Sequence, residues 1–78
     1  MDMEQLTSTE RRIAELTPRQ LTICRQIADG KLNKEIAHQL PASLTVVKHQ
    51  ITAIMERTGC QNRAAIAAWY VRQTEVRQ

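Results

Sequence analysis

A chain of 78 residues with 42% hydrophobic side chains makes one small domain, since a chain this short buries only about 60% of its unfolded surface. It has no room for a substantial pocket, and no paired carboxylates, nucleophile–base pair or phosphate loop is legible, so an enzyme is not expected. The net charge of +3 is concentrated between residues 31 and 63, where Lys31, Lys34, Lys48, Arg57 and Arg63 outnumber Glu35 and Glu56, as a surface for polyanions requires.

The first residues, MDMEQLTSTERR, lack an apolar run, so neither secretion nor membrane insertion is indicated and a cytoplasmic location is expected. Residues 1–15 read as an N-terminal arm or linker, and residues 16–78 as the domain. The two cysteines, Cys24 and Cys60, form no CxxC pair and are expected to be reduced. With His38 and His49 they make no metal-ligand spacing, so neither metal nor cofactor is expected.

Thr17-Pro18-Arg19-Gln20 is a helix start: Thr17 can accept from the third amide, Gln20 can reach back, and Pro18 needs no partner for an N–H it lacks. Helix 1 then runs to about residue 29, with Gly30 as its left-handed terminator. Its buried stripe is predicted as Ile23, Cys24, Ile27 and Ala28, flanked by Leu21. Asn33 is predicted to cap helix 2, residues 34–40, with Ile36, Ala37 and Leu40 inward and Lys34, Glu35, His38 and Gln39 outward. Pro41 cannot continue that helix, and residues 40–43 suit a tight type I turn.

Ser43 is predicted to cap helix 3, which ends at Gly59. At 3.6 residues per turn, Leu44, Val47, Ile51, Ile54, Met55 and Thr58 share one side. Thr45, Lys48, His49, Thr52, Ala53 and Glu56 share the other, which offers hydrogen-bonding groups, small residues and positive charge. Asn62 caps helix 4, residues 63–73. There Ala65, Ile66, Trp69 and Tyr70 form one apolar stripe, with one of the two aromatics expected to close the core against helices 1 and 3. Ala64, Ala67, Ala68 and Val71 form a second, shallower stripe that would admit another helix. With no strand pattern or repeat, the fold class is all-α: four helices.

Two helices joined by a short turn make a helix-turn-helix, here helices 2 and 3. Counting from Asn33, Ala37 is fifth, where close helix contact demands a small side chain, and Val47 is fifteenth, where the second helix packs back on the first.

Leu16-Thr17-Pro18-Arg19, Ile23, Ala28, Gly30, Asn33-Lys34-Glu35-Ile36-Ala37, Val47-Lys48, Ile54, Gly59 and Asn62-Arg63 together resemble the LuxR-type (GerE-like) helix-turn-helix family. The resemblance implies a four-helix transcription-factor domain that binds double-stranded DNA, usually as a homodimer through its last helix. Such domains often accompany a regulatory domain or partner protein. Position by position, Lys48 matches a DNA contact, His49 and Thr52 match positions facing base edges, and Lys34 and Arg63 match positions near the phosphate backbone. Lys48 can donate to guanine or phosphate, and the Thr52 methyl can touch a thymine methyl. The helix 3 N-terminus, with Ser43 and Thr45, aims backbone N–H groups at phosphates. Ala64, Ala67, Ala68 and Val71 would form the dimer interface.

The chain departs from the family pattern at Pro41, where Gly is usual in the turn, and at Val46, where Thr is usual and Thr45 is the neighbouring hydroxyl. Gln50 replaces a His, and Thr58 replaces a Leu. Pro41 and Val46 also motivate an alternative, a protein-interaction module that keeps the fold without binding DNA.

Overall fold

Local end signals decide where each helix starts and stops. The computed structural model describes residues 16–76, so the arm expected over residues 1–15 lies outside the described residues. Four helices follow in order: α1, Pro18–Ala28; α2, Asn33–Gln39; α3, Leu44–Thr58; and α4, Arg63–Val76. Among the described residues there is no strand, and the fold is all-α.

At the start of α1, Thr17 Oγ1 accepts from the Gln20 N–H at 3.1 Å and Gln20 Oε1 accepts from the Thr17 N–H at 3.0 Å. This is the reciprocal capping box the sequence predicts. The helix ends at Gly30, φ 80°. The Gly30 and Lys31 N–H groups return to the carbonyls of Ile27 and Gln26, each at 3.0 Å, closing a Schellman motif.

The start of α2 corrects the sequence expectation. Asn33 does not cap the helix; it is its first residue, and Leu32 holds the cap position. Glu35 Oε1 accepts from the Leu32 N–H at 2.8 Å, so the carboxylate satisfies the helix entry. The Asn33 side-chain oxygen instead accepts from the guanidinium of Arg63, a charged and therefore stronger donor than a backbone amide.

The end of α2 also differs from a simple four-residue turn. The Ala42 N–H returns to the Ala37 carbonyl at 2.9 Å, the outer bond of a Schellman-type ending. Pro41 has no N–H, so the inner bond seen at Gly30 has no counterpart here. Among the described residues none other than glycine has positive φ, so the turn closes without the left-handed residue.

Ser43 caps α3 as expected, its Oγ accepting from the Val46 N–H at 3.1 Å, and Gly59, φ 79°, ends it. Asn62 Oδ1 accepts from the Ala65 N–H at 2.8 Å and opens α4. That helix runs past Gln73 to Val76, with no Gly or Pro to stop it, and the Thr74 hydroxyl folds back onto the Tyr70 and Val71 carbonyls.

The core joins Leu16 and the α1 residues Ile23, Cys24 and Ile27 to Ile36 and Ala37 of α2, Val47, Ile51 and Ile54 of α3, and Ile66 and Trp69 of α4. Trp69 is therefore the aromatic that closes the core, while Tyr70 is half-buried. The most extensive helix contact is between α1 and α4, and α3 rests mainly on α2. Two predicted core positions are corrected. Leu44 is 45% exposed, because it precedes the point where α3 meets its neighbours, the first buried α3 residue being Val47. Ala28 is only half-buried, while Gln20 and Gln26 lie on the buried side of α1. Thr58 is buried, its hydroxyl donating to the Ile54 carbonyl at 2.8 Å, which satisfies a polar group in a core position.

Both cysteines are free thiols, Cys24 buried and Cys60 half-buried. Burial, reinforced by neighbouring Cys60, pushes the Cys24 thiol up to about 11 from an ordinary value of 9.0. An ionised thiol is thus disfavoured in the folded state, so stability present below pH 9 should fall as pH rises from 9 to about 11. At neutral pH, iodoacetamide should modify Cys60 well before Cys24, as peptide mass spectrometry would show. Equal labelling rates would contradict the burial of Cys24.

Candidate nucleic-acid interface

The buried side of α3, Val47, Ile51, Ile54 and Thr58, anchors the helix and fixes which side faces outward. Thr45, Lys48, His49 and Thr52 are all exposed, and helical spacing gathers them on one face. All four sequence-predicted residues of this edge are therefore brought together. The Thr52 hydroxyl donates to the Lys48 carbonyl at 3.1 Å. Ser43 is exposed and accepts the Val46 N–H through Oγ, which leaves its own O–H proton available to an anion. The N–H groups of the first α3 turn lack carbonyl partners within the helix, and the positive end of the helix dipole adds to their pull on anions.

A second basic group lies at the start of α2. Lys34 is exposed and lines a shallow groove with Lys31, Glu35, His38 and Gln39. Arg63, half-buried at the start of α4, donates to Asn33 Oδ1 and to the Lys31 carbonyl. It thus ties α4 to the entry of α2 through neutral acceptors rather than through Glu35 or Glu56. A guanidinium has five N–H donors, so this structural bond does not exhaust its capacity for phosphate. Lys31 lies beside Lys34 and Arg63 in this basic group but is not among the site residues expected from the sequence. Its place in the central basic segment was the available signal.

Sequence reasoning also missed the group that orients α3. Gln20 is 3% exposed. Its Nε2 donates to Gln50 Oε1 at 3.0 Å, and its Oε1 accepts from the Arg57 guanidinium at 3.0 Å and from the Thr17 N–H at 3.0 Å. Gln50 and Arg57 lie two turns apart on α3, so one buried amide pins the helix against the cap of α1 at two points. Gln50, at the position where His is usual in the resembled family, is a strut rather than part of the outward edge.

On α4, Ala64 and Ala68 are exposed and Val71 is 39% exposed, whereas Ala67 is half-buried and packs on the core. The second stripe is therefore narrower than predicted. Among the described residues, no cluster of three or more His, Cys, Asp or Glu could hold a metal, and no helix is long and apolar enough to cross a membrane.

The chain is similar to known regulatory proteins over most of its length. The profile of a family described as "Bacterial regulatory proteins, luxR family" matches residues 14–70. The chain is 34% identical over 62 residues to the "Nitrate/nitrite response regulator protein NarL" of Escherichia coli strain K12, covering 80% of this chain and 29% of the relative. The NarL of E. coli O6:H1 matches equally. The "Probable transcriptional regulator ycf29" of Porphyra purpurea is 32% identical over 57 residues, covering 73% of this chain and 27% of the relative. The match thus spans less than a third of the length of these relatives. No solved structure matches the chain significantly.

The Gln20 network yields a stability prediction. Gln20→Ala removes the acceptor that Thr17 N–H and the Arg57 guanidinium use and the donor to Gln50, and should cost roughly 1–3 kcal/mol. For a domain this small, that lowers the melting temperature by at least about 4 °C. Gln20→Glu should cost much less, because a carboxylate still accepts from Thr17 and Arg57 and the Gln50 amide can turn its NH2 toward it. Thermal denaturation of both variants checks this, and identical losses would contradict it.

Proposed function

The chain belongs to the luxR family of bacterial regulatory proteins and carries a transcription regulator's DNA-binding domain, and from that premise we propose that it inserts the outward face of α3 into the DNA major groove. The observation that carries the proposal is the division of α3. One side is locked into the core by Val47, Ile51 and Ile54. The other presents Thr45, Lys48, His49 and Thr52 to solvent. A helix fits the major groove of B-DNA, where such side chains meet base edges. Lys48 donates to guanine O6 or N7 or to a phosphate, and His49 donates or accepts at a base edge. Ser43, Thr45 and the first α3 amides hold a phosphate at the helix start, and Lys34 with Arg63 holds the backbone beyond.

The protein acts in this reading as a homodimer on a two-fold site, with Ala64, Ala68 and Val71 of α4 at the dyad and Ala67 contributing from its edge. Small side chains there allow a second α4 to approach closely, and a two-fold dimer sets the spacing of two half-sites about one DNA turn apart. Its place of action is the cytoplasm, where its DNA is. A regulatory domain or partner protein supplies the signal, as the length of its relatives suggests. The nitrate and nitrite response in the name of NarL is not carried over, because the match covers only 29% of that protein.

Fluorescence anisotropy with labelled duplex, titrated with salt, tests this reading. Neutralising several phosphates should give a log–log slope of about −3 or steeper. Lys48→Ala with His49→Ala should weaken binding to a selected site by at least about tenfold, with little change in melting temperature because both side chains are exposed. Undiminished binding by that variant would contradict the role given to the α3 face, and a flat salt response would favour instead a protein-interaction module, for which the exposed apolar side chain of Val46 would be the docking surface.

A further inference from the structure

Two thiols that take no part in the proposed DNA contacts lie in one region of the fold. Cys24, in the middle of α1, is fully buried. Cys60 follows Gly59 in the link between α3 and α4, is half-buried, and packs against the core cluster to which Cys24 belongs. The Cys60 backbone is held there: its N–H donates to Thr58 Oγ1 at 3.2 Å, while the Thr58 hydroxyl donates to the Ile54 carbonyl at 2.8 Å. The thiols are close enough that a charge on Cys60 disfavours one on Cys24. Their access to solvent differs. Cys60 lines a surface groove with Asn62, Ala65, Ala68 and Arg72, whereas Cys24 has no exposed surface.

We propose that Cys60 and Cys24 form a redox-active pair: a hydroperoxide oxidises Cys60 from the groove, and Cys24 then closes an internal disulfide with it. In the first step the Cys60 sulfur attacks the terminal peroxide oxygen and the O–O bond breaks. The sulfur gives up two electrons to become a sulfenic acid, and the alcohol leaves (water, where the oxidant is hydrogen peroxide). In the second step the Cys24 sulfur attacks the Cys60 sulfur, the S–O bond breaks, and the departing hydroxide takes the Cys24 proton as water. Two thiols and one hydroperoxide thus give one disulfide, one alcohol and one water. The thiolate is the nucleophile toward peroxide, and burial that pushes the Cys24 thiol up to about 11 keeps it protonated at neutral pH, so Cys60 reacts first. The closed ring, from residue 24 to residue 60, contains α2 and all of α3. Cys24 stands one turn beyond Gln20 on α1, so the bond ties the end of α3 to the side of α1 that already holds Gln50 and Arg57. Disulfides inside cells are mostly transient and redox-sensing, which is the role assigned to this pair.

The test exposes the full chain to hydrogen peroxide, blocks the remaining thiols with iodoacetamide and maps peptides by mass spectrometry. A single-chain product lacking two hydrogens should appear, its Cys24 and Cys60 peptides joined and separable by dithiothreitol. Its melting temperature should exceed that of the reduced chain by about 10 °C, because the cross-link constrains the unfolded state. Cys24→Ala should stop at the Cys60 sulfenic acid, which dimedone traps. Cys60→Ser, a change at a half-buried site, should give neither dimedone adduct nor disulfide, because the remaining thiol is buried. The proposal would be overturned by an unreactive Cys60, by a Cys60 sulfenic acid in the unaltered chain that never joins Cys24, or by disulfides formed only between chains. Oxidation of Cys24 in Cys60→Ser as fast as that of Cys60 in the unaltered chain would overturn it too. None of these readouts depends on DNA.

Discussion

One buried amide governs how the proposed DNA-contacting edge is aimed. Gln20 holds the Thr17 cap on α1 and reaches both Gln50 and Arg57 on α3. Apolar packing by Val47, Ile51 and Ile54 decides which side of α3 is buried, but such packing is non-directional and tolerates small rolls about the helix axis. Hydrogen bonds at two turns of the same helix restrict that roll. Because Lys48 and His49 project from the opposite side, a rotation of α3 would displace both together. The junction is built from neutral amides with one guanidinium.

The remaining supports act on the ends of the helix pair. Arg63 joins the entry of α4 to Asn33 and the Lys31 carbonyl, which holds the start of α2 while gathering three basic residues in one place. At the other end, the Ala42–Ala37 bond closes the turn around Pro41. Proline there removes one backbone bond but also fixes φ and limits the unfolded chain. The turn is thus compatible with a helix-turn-helix even though it lacks a glycine. α4 packs chiefly on α1, which leaves the outward face of α3 clear of the proposed dimer surface.

Much of this architecture was legible because helix ends carry local chemistry. Thr17-Pro18 with Gln20, Ser43, Asn62, Gly30 and Gly59 each do at short range what their residue types favour, and the structure places them as read. The outward face of α3 was equally legible, since 3.6-residue spacing separates Lys48 and His49 from Val47 and Ile51. What escaped was decided by partners distant in sequence. Asn33 has the composition of a cap, yet Arg63, thirty positions away, takes its oxygen. Gln20 and Gln26 look like solvent-facing residues by polarity, and only the fold shows that both are buried. Leu44 obeys the apolar spacing but stands beyond the reach of the core. Ala67 was assigned wholly to a dimer surface, whereas the fit of α4 turns it partly toward the core.

The central claim is that the face of α3 bearing Lys48 and His49 is the surface that meets DNA. The most direct measurement is a titration of isotopically labelled protein with a selected duplex, followed by amide and side-chain NMR shifts. The account predicts the largest changes at Thr45, Lys48, His49 and Thr52 and at the first α3 amides, smaller ones at Lys34 and Arg63, and little at Ala68 or Val71 beyond any dimerisation seen without DNA. Shifts centred on α4, with the outward face of α3 unmoved, would contradict it.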